Sequence, residues 1–172
     1  MALRVPPSDV SIRVAQSGDL AAVLVVQQEA ILRLAEASYG AKGTAAWARW
    51  QTADTSALLN HGGTFFVGED ASGLIAVGGW RPDPQSPTIA WVRAVFVSPR
   101  RVRQGVGMRL MAKVEDSAAA AGRMTIRLIA STNARRFYEA LEYTALSANE
   151  WEVQPGLVLP GMLMEKTMQL SN

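Results

Sequence analysis

The sequence contains no cysteine. That excludes disulfides, thiolate nucleophiles and cysteine-based zinc sites. Histidine is almost as scarce, with His61 alone. A histidine-rich metal site is therefore excluded, and a Ser-His-Asp triad would have to use His61. That residue sits in the turn-forming run Asn60-His61-Gly62-Gly63 and reads as a loop residue rather than a base. No apolar run reaches the ~20 residues a membrane helix needs. The opening run Met1-Ala2-Leu3-Arg4-Val5-Pro6-Pro7 has no hydrophobic signal core, so a cytoplasmic protein is expected. Net charge is only +2, too little for a general nucleic-acid binder, so basic groups act locally. Internal repeats and low-complexity segments are not evident.

What is present fits one domain. A chain of 172 residues can bury a sizeable core. With 49% apolar and 19% charged residues, it has the balance of a soluble globular protein. Residues 1–9, broken by Pro6-Pro7, read as a lead-in, and 10–170 as the domain.

The organising stretch is Trp91–Glu115. It opens with an apolar strand, Trp91–Val97, and turns at Ser98-Pro99. A basic run, Arg100, Arg101 and Arg103, leads to Gln104-Gly105-Val106-Gly107. Helical periodicity follows, with Val106, Leu110, Val114 and Ala118 on one face and Met111 beside them. Strand, glycine loop and helix form a phosphate-cradling order. Unpartnered N–H groups at the helix start face an anion, and glycine permits close backbone approach.

Around this stretch the pattern predicts a first strand at Ser11–Val14. Ser17 is expected to cap a helix, Asp19 to lie in its first turn, and the helix to run to about Ala37. Its expected buried side carries Leu20, Leu24, Ile31 and Leu34, and Gly40 and Gly43 are expected to break it. Thr44 is expected to cap a second helix bearing Trp47 and Trp50 and ending near residues 60–63. Strands are predicted at Thr64–Gly68, Leu74–Trp80 and Thr88–Val97, antiparallel in turn. After Gly122, Met124–Ile129 should run parallel to Trp91–Val97, because a whole helix connects them. Asn133–Leu141 reads as a short helix. Thr144–Val153 and Gly161–Met168 read as closing strands joined by a Pro/Gly-rich loop. The sum is a single α/β domain: a mixed, mostly antiparallel sheet with helices on both faces.

Two familiar phosphate loops do not fit. Gly-x-x-x-x-Gly-Lys-Ser/Thr is absent, and Leu110 stands where the dinucleotide fingerprint has its third glycine. Val97-x-Pro99 followed by Gln104-Gly105-Val106-Gly107 instead resembles the acyl-CoA loop of the GNAT N-acetyltransferases. That loop usually reads Val-x-Pro-x-x-Arg/Gln-x-x-Gly-x-Gly/Ala, and Val102 here takes the Arg/Gln place. A second segment, Asn133-Ala134-Arg135-Arg136-Phe137-Tyr138-Glu139-Ala140-Leu141-Glu142-Tyr143, is similar to that family's Asn-…-Phe-Tyr-Glu-x-Leu-Gly-Phe/Tyr run. Glu142 stands where glycine is usual.

The resemblance implies acetyl-CoA as co-substrate, no metal, and transfer to a primary amine by direct attack in a ternary complex. Direct attack also agrees with the missing cysteine. Main-chain groups of Val95, Phe96 and Val97 would meet pantetheine where two strands splay. Arg103, Gln104, Gly105, Val106, Gly107 and Met108 would hold the pyrophosphate. Asn133 would contact the pantetheine arm, cap the short helix, or do both. Tyr138 would protonate the departing thiolate, whereas Phe137 and Leu141 only pack. The oxyanion donor would be a main-chain N–H near Val95 or Phe96. The basic run either attracts CoA phosphates, with Arg103 best positioned, or is a solvated cationic loop.

No general base is legible. Trp91–Val97 carries no carboxylate. Glu69, Asp70 and Asp83 belong to turns, and Glu150 and Glu152 are open candidates. The tryptophans, chiefly Trp47 and Trp50, either line an acceptor pocket or pack. The expected acceptor is a small-molecule or peptide amine, with no nucleic acid and no membrane, and relatives imply a homodimer. The alternative function is a non-catalytic acyl-CoA-binding sensor or interaction module of the same fold.

Overall fold

The computed structural model describes residues 9–54, 57 and 59–169. Residues 1–8 of the expected lead-in lie outside them. The elements, in chain order, are strand β1 (Ser11–Val14), helices α1 (Leu20–Leu34) and α2 (Glu36–Asp54), and strands β2 (Phe65–Asp70), β3 (Gly73–Pro82) and β4 (Ile89–Val97). Helix α3 (Val106–Ala120), strand β5 (Thr125–Ser131), helix α4 (Arg135–Ala140) and strands β6 (Thr144–Gln154) and β7 (Leu157–Thr167) follow. The strands form one sheet in the order β1-β2-β3-β4-β5-β7-β6. Only the β4–β5 pair is parallel, as the connecting helix requires.

Helices cover both faces of the sheet. On one face α3 lays down the predicted stripe Val106, Leu110, Met111, Val114 and Ala118. These residues form a core with Ile75, Ala90, Val92, Ile126, Leu128 and Met164, which Tyr138 of α4 joins. On the other face α1 packs Val23 and Val26 against Phe65, Val67 and Val77. There α2 adds Trp47 and Ala48 against Val153 and Leu159.

Several local expectations are corrected. A 3-10 turn at Ser17–Asp19 precedes α1, and Gln16 rather than Ser17 stands at its cap. The Gln16 amide donates to Asp19 Oδ2 at 2.8 Å, and Arg13 Nη1 reaches the same oxygen at 2.8 Å. Helix α1 stops at Leu34, earlier than expected. Its buried stripe is Val23, Val26, Gln27, Ala30 and Ile31, while Leu20, Leu24 and Leu34 are half-buried. Gly40 breaks α2 at φ 69°, but Gly43 lies inside the helix. A Cβ on Gly43 would sit 3.3 Å from Leu159, so glycine there lets α2 approach β7. Thr44 is not a cap: its buried hydroxyl bonds back to the Gly40 and Ala41 carbonyls. The second helix is described to Asp54, and its expected end near 60–63 follows a stretch, residues 55, 56 and 58, that lies outside the described residues.

At α4 the cap position falls on Ala134, so Asn133 lies one residue before it. The loop expected between the last strands shrinks to the turn Pro155-Gly156, because Gln154 already pairs with Leu157. Pro160 is tolerated inside β7 because the β5–β7 ladder starts only at Gly161, leaving no rung there that needs its N–H.

Candidate active site

The parallel pair β4–β5 is short. Ile89, Ala90 and Trp91 pair with Thr125, Ile126 and Arg127, and then the strands part. Beyond that point Val92–Val97 faces Leu128–Ser131 across a wedge. A bulge sharpens it. Gly79 pairs with Arg93 and Val77 with Phe96, so Ala94 and Val95 together oppose Gly78. Ala94 takes φ 51°, a left-handed value that costs a non-glycine residue roughly 1–2 kcal/mol. Gly78 makes room: a Cβ there would lie 2.9 Å from Val95 Cγ2. The bulge also shifts the face alternation by one. Ala94 and Phe96 pack toward α1 and α2, and Val95 and Val97 toward α3 and α4.

The loop after β4 is strained in the same sense. Arg103 has φ 60° and Gly105, at the cap of α3, has φ 81°. The amides of Val106, Gly107 and Met108 find no main-chain acceptor among the described residues, as at any helix start. Gly107 is where α3 meets α4: a Cβ there would lie 3.1 Å from Phe137 Cζ. The three arginines divide. Arg101 is held by Asp9 at 3.0 Å and by Asp70 at 3.3 Å, tying the loop to the β2–β3 hairpin. Arg100 donates to Ser72 Oγ, whereas Arg103 lies on a cavity wall.

That cavity measures about 1000 Å³. Val95, Phe96, Val97, Arg103, Gly105, Gly107, Met108, Asn133 and Tyr138 all line it. Two residues of the expected set do not. The Val106 side chain is buried in the core, and Gln104 Nε2 donates back to the Arg100 carbonyl. The rest of the wall comes from Ala30, Ile31 and Leu34 of α1, which sequence patterning marks only as an apolar helix face, from Ala35 and Trp47, from Arg101 and Val102 before the glycine loop, and from Ser131, Ala134 and Phe137.

A second cavity of about 240 Å³ adjoins the first. Val95, Phe96, Ser131, Ala134, Tyr138 and Trp47 line both. Tyr138 thus stands at their junction. Its ring is buried and packs edge-on against Phe137 at 5.1 Å and Tyr143 at 5.7 Å. Burial pushes the phenol above its ordinary value, so the hydroxyl keeps its proton at neutral pH. The carbonyl of Tyr138 is fixed too. Tyr143 N–H donates to it and Glu142 N–H to Glu139, a Schellman closure that forces Glu142 to φ 70°.

The smaller cavity is walled by aromatic side chains. Trp47 and Trp151 meet edge-on at 5.6 Å, and Phe96 lies 5.9 Å from Trp47. Gly161 admits the Trp151 ring across β7, since a Cβ there would come within 2.7 Å of it. Trp50 is exposed and lines the same cavity, as do Arg93 and the buried Gln51. Trp80 and Trp91 are elsewhere, bonded to Ser117 Oγ and Asp83 Oδ2. Tyr39 pins this wall to the sheet: its hydroxyl accepts from Thr132 N–H and donates to the Pro160 carbonyl, each at 2.7 Å.

No carboxylate lines either cavity among the described residues. Glu69 pairs with Arg13, Asp70 holds Ser72 and Arg101, and Asp83 accepts from Trp91 and two loop amides. Glu152 accepts from Gly156 N–H at the last turn. No cluster of metal-ligating side chains occurs among the described residues. His61 is an exposed bend residue, as expected.

Comparison with known proteins gives this geometry its class. The family model of the acetyltransferase (GNAT) domain matches residues 61–145, from just before β2 into β6. That span contains the wedge, the bulge, the glycine loop and Tyr138. The chain belongs to the GNAT acetyltransferase superfamily. A GCN5-related N-acetyltransferase from Rhodopseudomonas palustris shares 22% identity at TM-score 0.80, over 98% of this chain and 99% of that one. The PaiA N-acetyltransferase of Thermoplasma acidophilum, solved with coenzyme A, shares 18% at TM-score 0.74, over 92% and 99%. The ribosomal-protein-S18-alanine N-acetyltransferase of Escherichia coli shares 16% at 0.70, over 95% and 96%. At these identities the likeness is one of fold. A search of curated protein sequences finds no significant match.

Proposed function

We propose that the protein is an acetyl-CoA-dependent N-acetyltransferase in which a primary amine attacks the thioester directly within a ternary complex. One observation carries the reading. A protonated phenol, Tyr138, stands where a long cavity floored by the strand wedge meets a small chamber on the other side. The larger cavity suits a phosphopantetheine thioester. Glycine-loop amides and Arg103 lie at one end for the pyrophosphate, and the unpaired edge of Val95–Val97 lies along its length. Asn133 lines the same cavity and is assigned to the pantetheine arm.

The residues then divide the work. The amine nitrogen bonds to the thioester carbonyl carbon, and a main-chain N–H at the bulge, by Val95 or Phe96, stabilises the oxygen as charge builds. The C–S bond breaks, and Tyr138 gives its proton to the sulfur. The proton lost by the amine returns to the phenolate through solvent, since no carboxylate lines the chamber among the described residues. Products are the acetamide and free CoA.

That lack of a carboxylate also favours a second reading, an acyl-CoA-binding module without turnover. Calorimetric titration with CoA, followed by thiol release across a panel of amines, separates the two. Binding with amine-dependent thiol release is expected. Binding without release supports the module, and no binding refutes both.

A further inference from the structure

Behind Tyr138, on the side away from both cavities, runs a chain of polar contacts that the mechanism leaves unused. The Tyr138 ring meets Tyr143 edge-on at 5.7 Å. Tyr143 is buried and lines neither cavity. Its hydroxyl donates to Glu115 Oε1 of α3 at 2.9 Å. The other oxygen, Glu115 Oε2, accepts from Lys166 Nζ of β7 at 2.8 Å. The same ammonium stands 5.6 Å from the centre of the Tyr143 ring. Burial, and then the Glu115 charge, pushes the Tyr143 phenol up, so it keeps its proton and donates. The Glu115 and Lys166 side chains are only 12% and 20% exposed. A mostly buried ion pair adds little net stability over apolar packing, and phenylalanine at 143 would fill the same space. What the hydroxyl and the carboxylate add is a fixed ring orientation.

Resting on the acetyltransferase reading, we propose that Glu115 and Tyr143 are positioning residues for the proton donor. Glu115 fixes the Tyr143 phenol from α3, and Lys166 holds the carboxylate from β7. The Tyr143 ring is then a rigid wall behind Tyr138, as Phe137 is on its other contact at 5.1 Å. That wall keeps the Tyr138 hydroxyl at the junction of the two cavities, where it meets the departing sulfur. Proton donation requires hydrogen-bond reach, and a small misplacement of the donor is costly. A loosened ring therefore lowers kcat and leaves the amides that bind CoA as they are. Glu115 and Tyr143 act only through Tyr138, since neither lines a cavity.

The test is a double-mutant cycle on thiol release from acetyl-CoA, with 2-phenylethylamine as the acceptor probe. Tyr143→Phe and Glu115→Ala should each lower kcat by about three- to tenfold, with CoA affinity within about twofold of wild type. In a Tyr138→Phe background the same changes should cost less than about 1.5-fold, because the group they position is gone. Glu115→Gln, whose amide can still bond the Tyr143 oxygen, should recover most of the loss seen with alanine. Equal fold losses in both backgrounds are ordinary destabilisation, and they overturn the proposal while the acetyltransferase reading stands. Full turnover by Tyr138→Phe overturns it together with the acid role of that residue. Absence of thiol release by wild type counts against the acetyltransferase reading alone, and the hold on Tyr138 is then decided by NMR of ¹³C-labelled tyrosine. The chain has three tyrosines, so phenylalanine variants assign the signals. Faster flipping of the Tyr138 ring in Glu115→Ala than in wild type upholds the proposal, and equal flipping overturns it.

Discussion

The two cavities that meet at Tyr138 are built from different materials. The larger one has a floor and one end made by main chain close in sequence, the wedge, the bulge and a loop with Gly105 and Gly107, and is closed by apolar side chains of α1 and by Trp47 and Phe137. The smaller one is made by large side chains from distant elements: Trp47 and Trp50 of α2, Arg93 and Phe96 of β4, and Trp151 of β6. The contrast teaches where specificity can vary. A binding surface of amides tolerates side-chain change and keeps its ligand. A chamber of side chains changes its ligand with each substitution.

The sharpest break in that division is Tyr138, one of the six residues on both walls. Tyr138→Phe should lower kcat by about 10²-fold, the scale of one general acid, while acetyl-CoA affinity moves less than about threefold. Because burial raises the phenol above its usual value of 10.0, wild-type activity should show no loss from Tyr138 ionisation below about pH 10. A falling limb near neutrality that vanishes in the variant would contradict this.

Next come variants that touch one side only. Gly107→Val drives a branched side chain into Phe137 and the loop. It should weaken CoA binding about tenfold and lower stability by about 1–3 kcal/mol, read by calorimetry and thermal melts. Trp50→Ala lies on the smaller cavity alone and is exposed. It should raise acceptor KM about fivefold, with stability within about 0.5 kcal/mol of wild type. If Trp50→Ala instead weakened CoA binding, the two sides would not be separable.

The smallest effects test the frame. Tyr39→Phe removes the oxygen that links Thr132 and Pro160 and should cost about 1 kcal/mol in denaturant unfolding. Glu142→Gly relieves a left-handed glutamate at the end of α4. It should stabilise by up to about 1 kcal/mol, offset in part by glycine's greater freedom when unfolded.

Legibility in the sequence follows the same division. The strands along the chain, the parallel pair, the α3 stripe and Tyr138 all rest on local periodicity or on motifs a few residues long, whereas the insertion of β7 between β5 and β6 does not. Arg93 escapes, and Phe96 is legible only through its main chain, because strict alternation puts residues three apart on opposite faces of a strand. The Ala94–Val95 bulge brings them to one cavity, and its only sequence traces are Gly78, one strand away, and an unremarkable alanine. Helix caps were misplaced where a side chain had a better partner. Asp19 turned to Gln16 and Arg13, and Thr44 turned into its own helix. Trp151 could not be grouped with Trp47, because only the fold brings β6 beside α2.

The phenol of Tyr39 stands in for a missing rung. Past Ser131 and Gly161 the β5–β7 ladder does not continue by direct main-chain contact, and one helix-borne oxygen relays it. The rim of the sheet and the aromatic chamber therefore share a hinge pin. Any outward movement of α2 would release the Thr132 amide with it. Isotope exchange at that single amide should thus act as a gauge of how often the chamber door stands ajar.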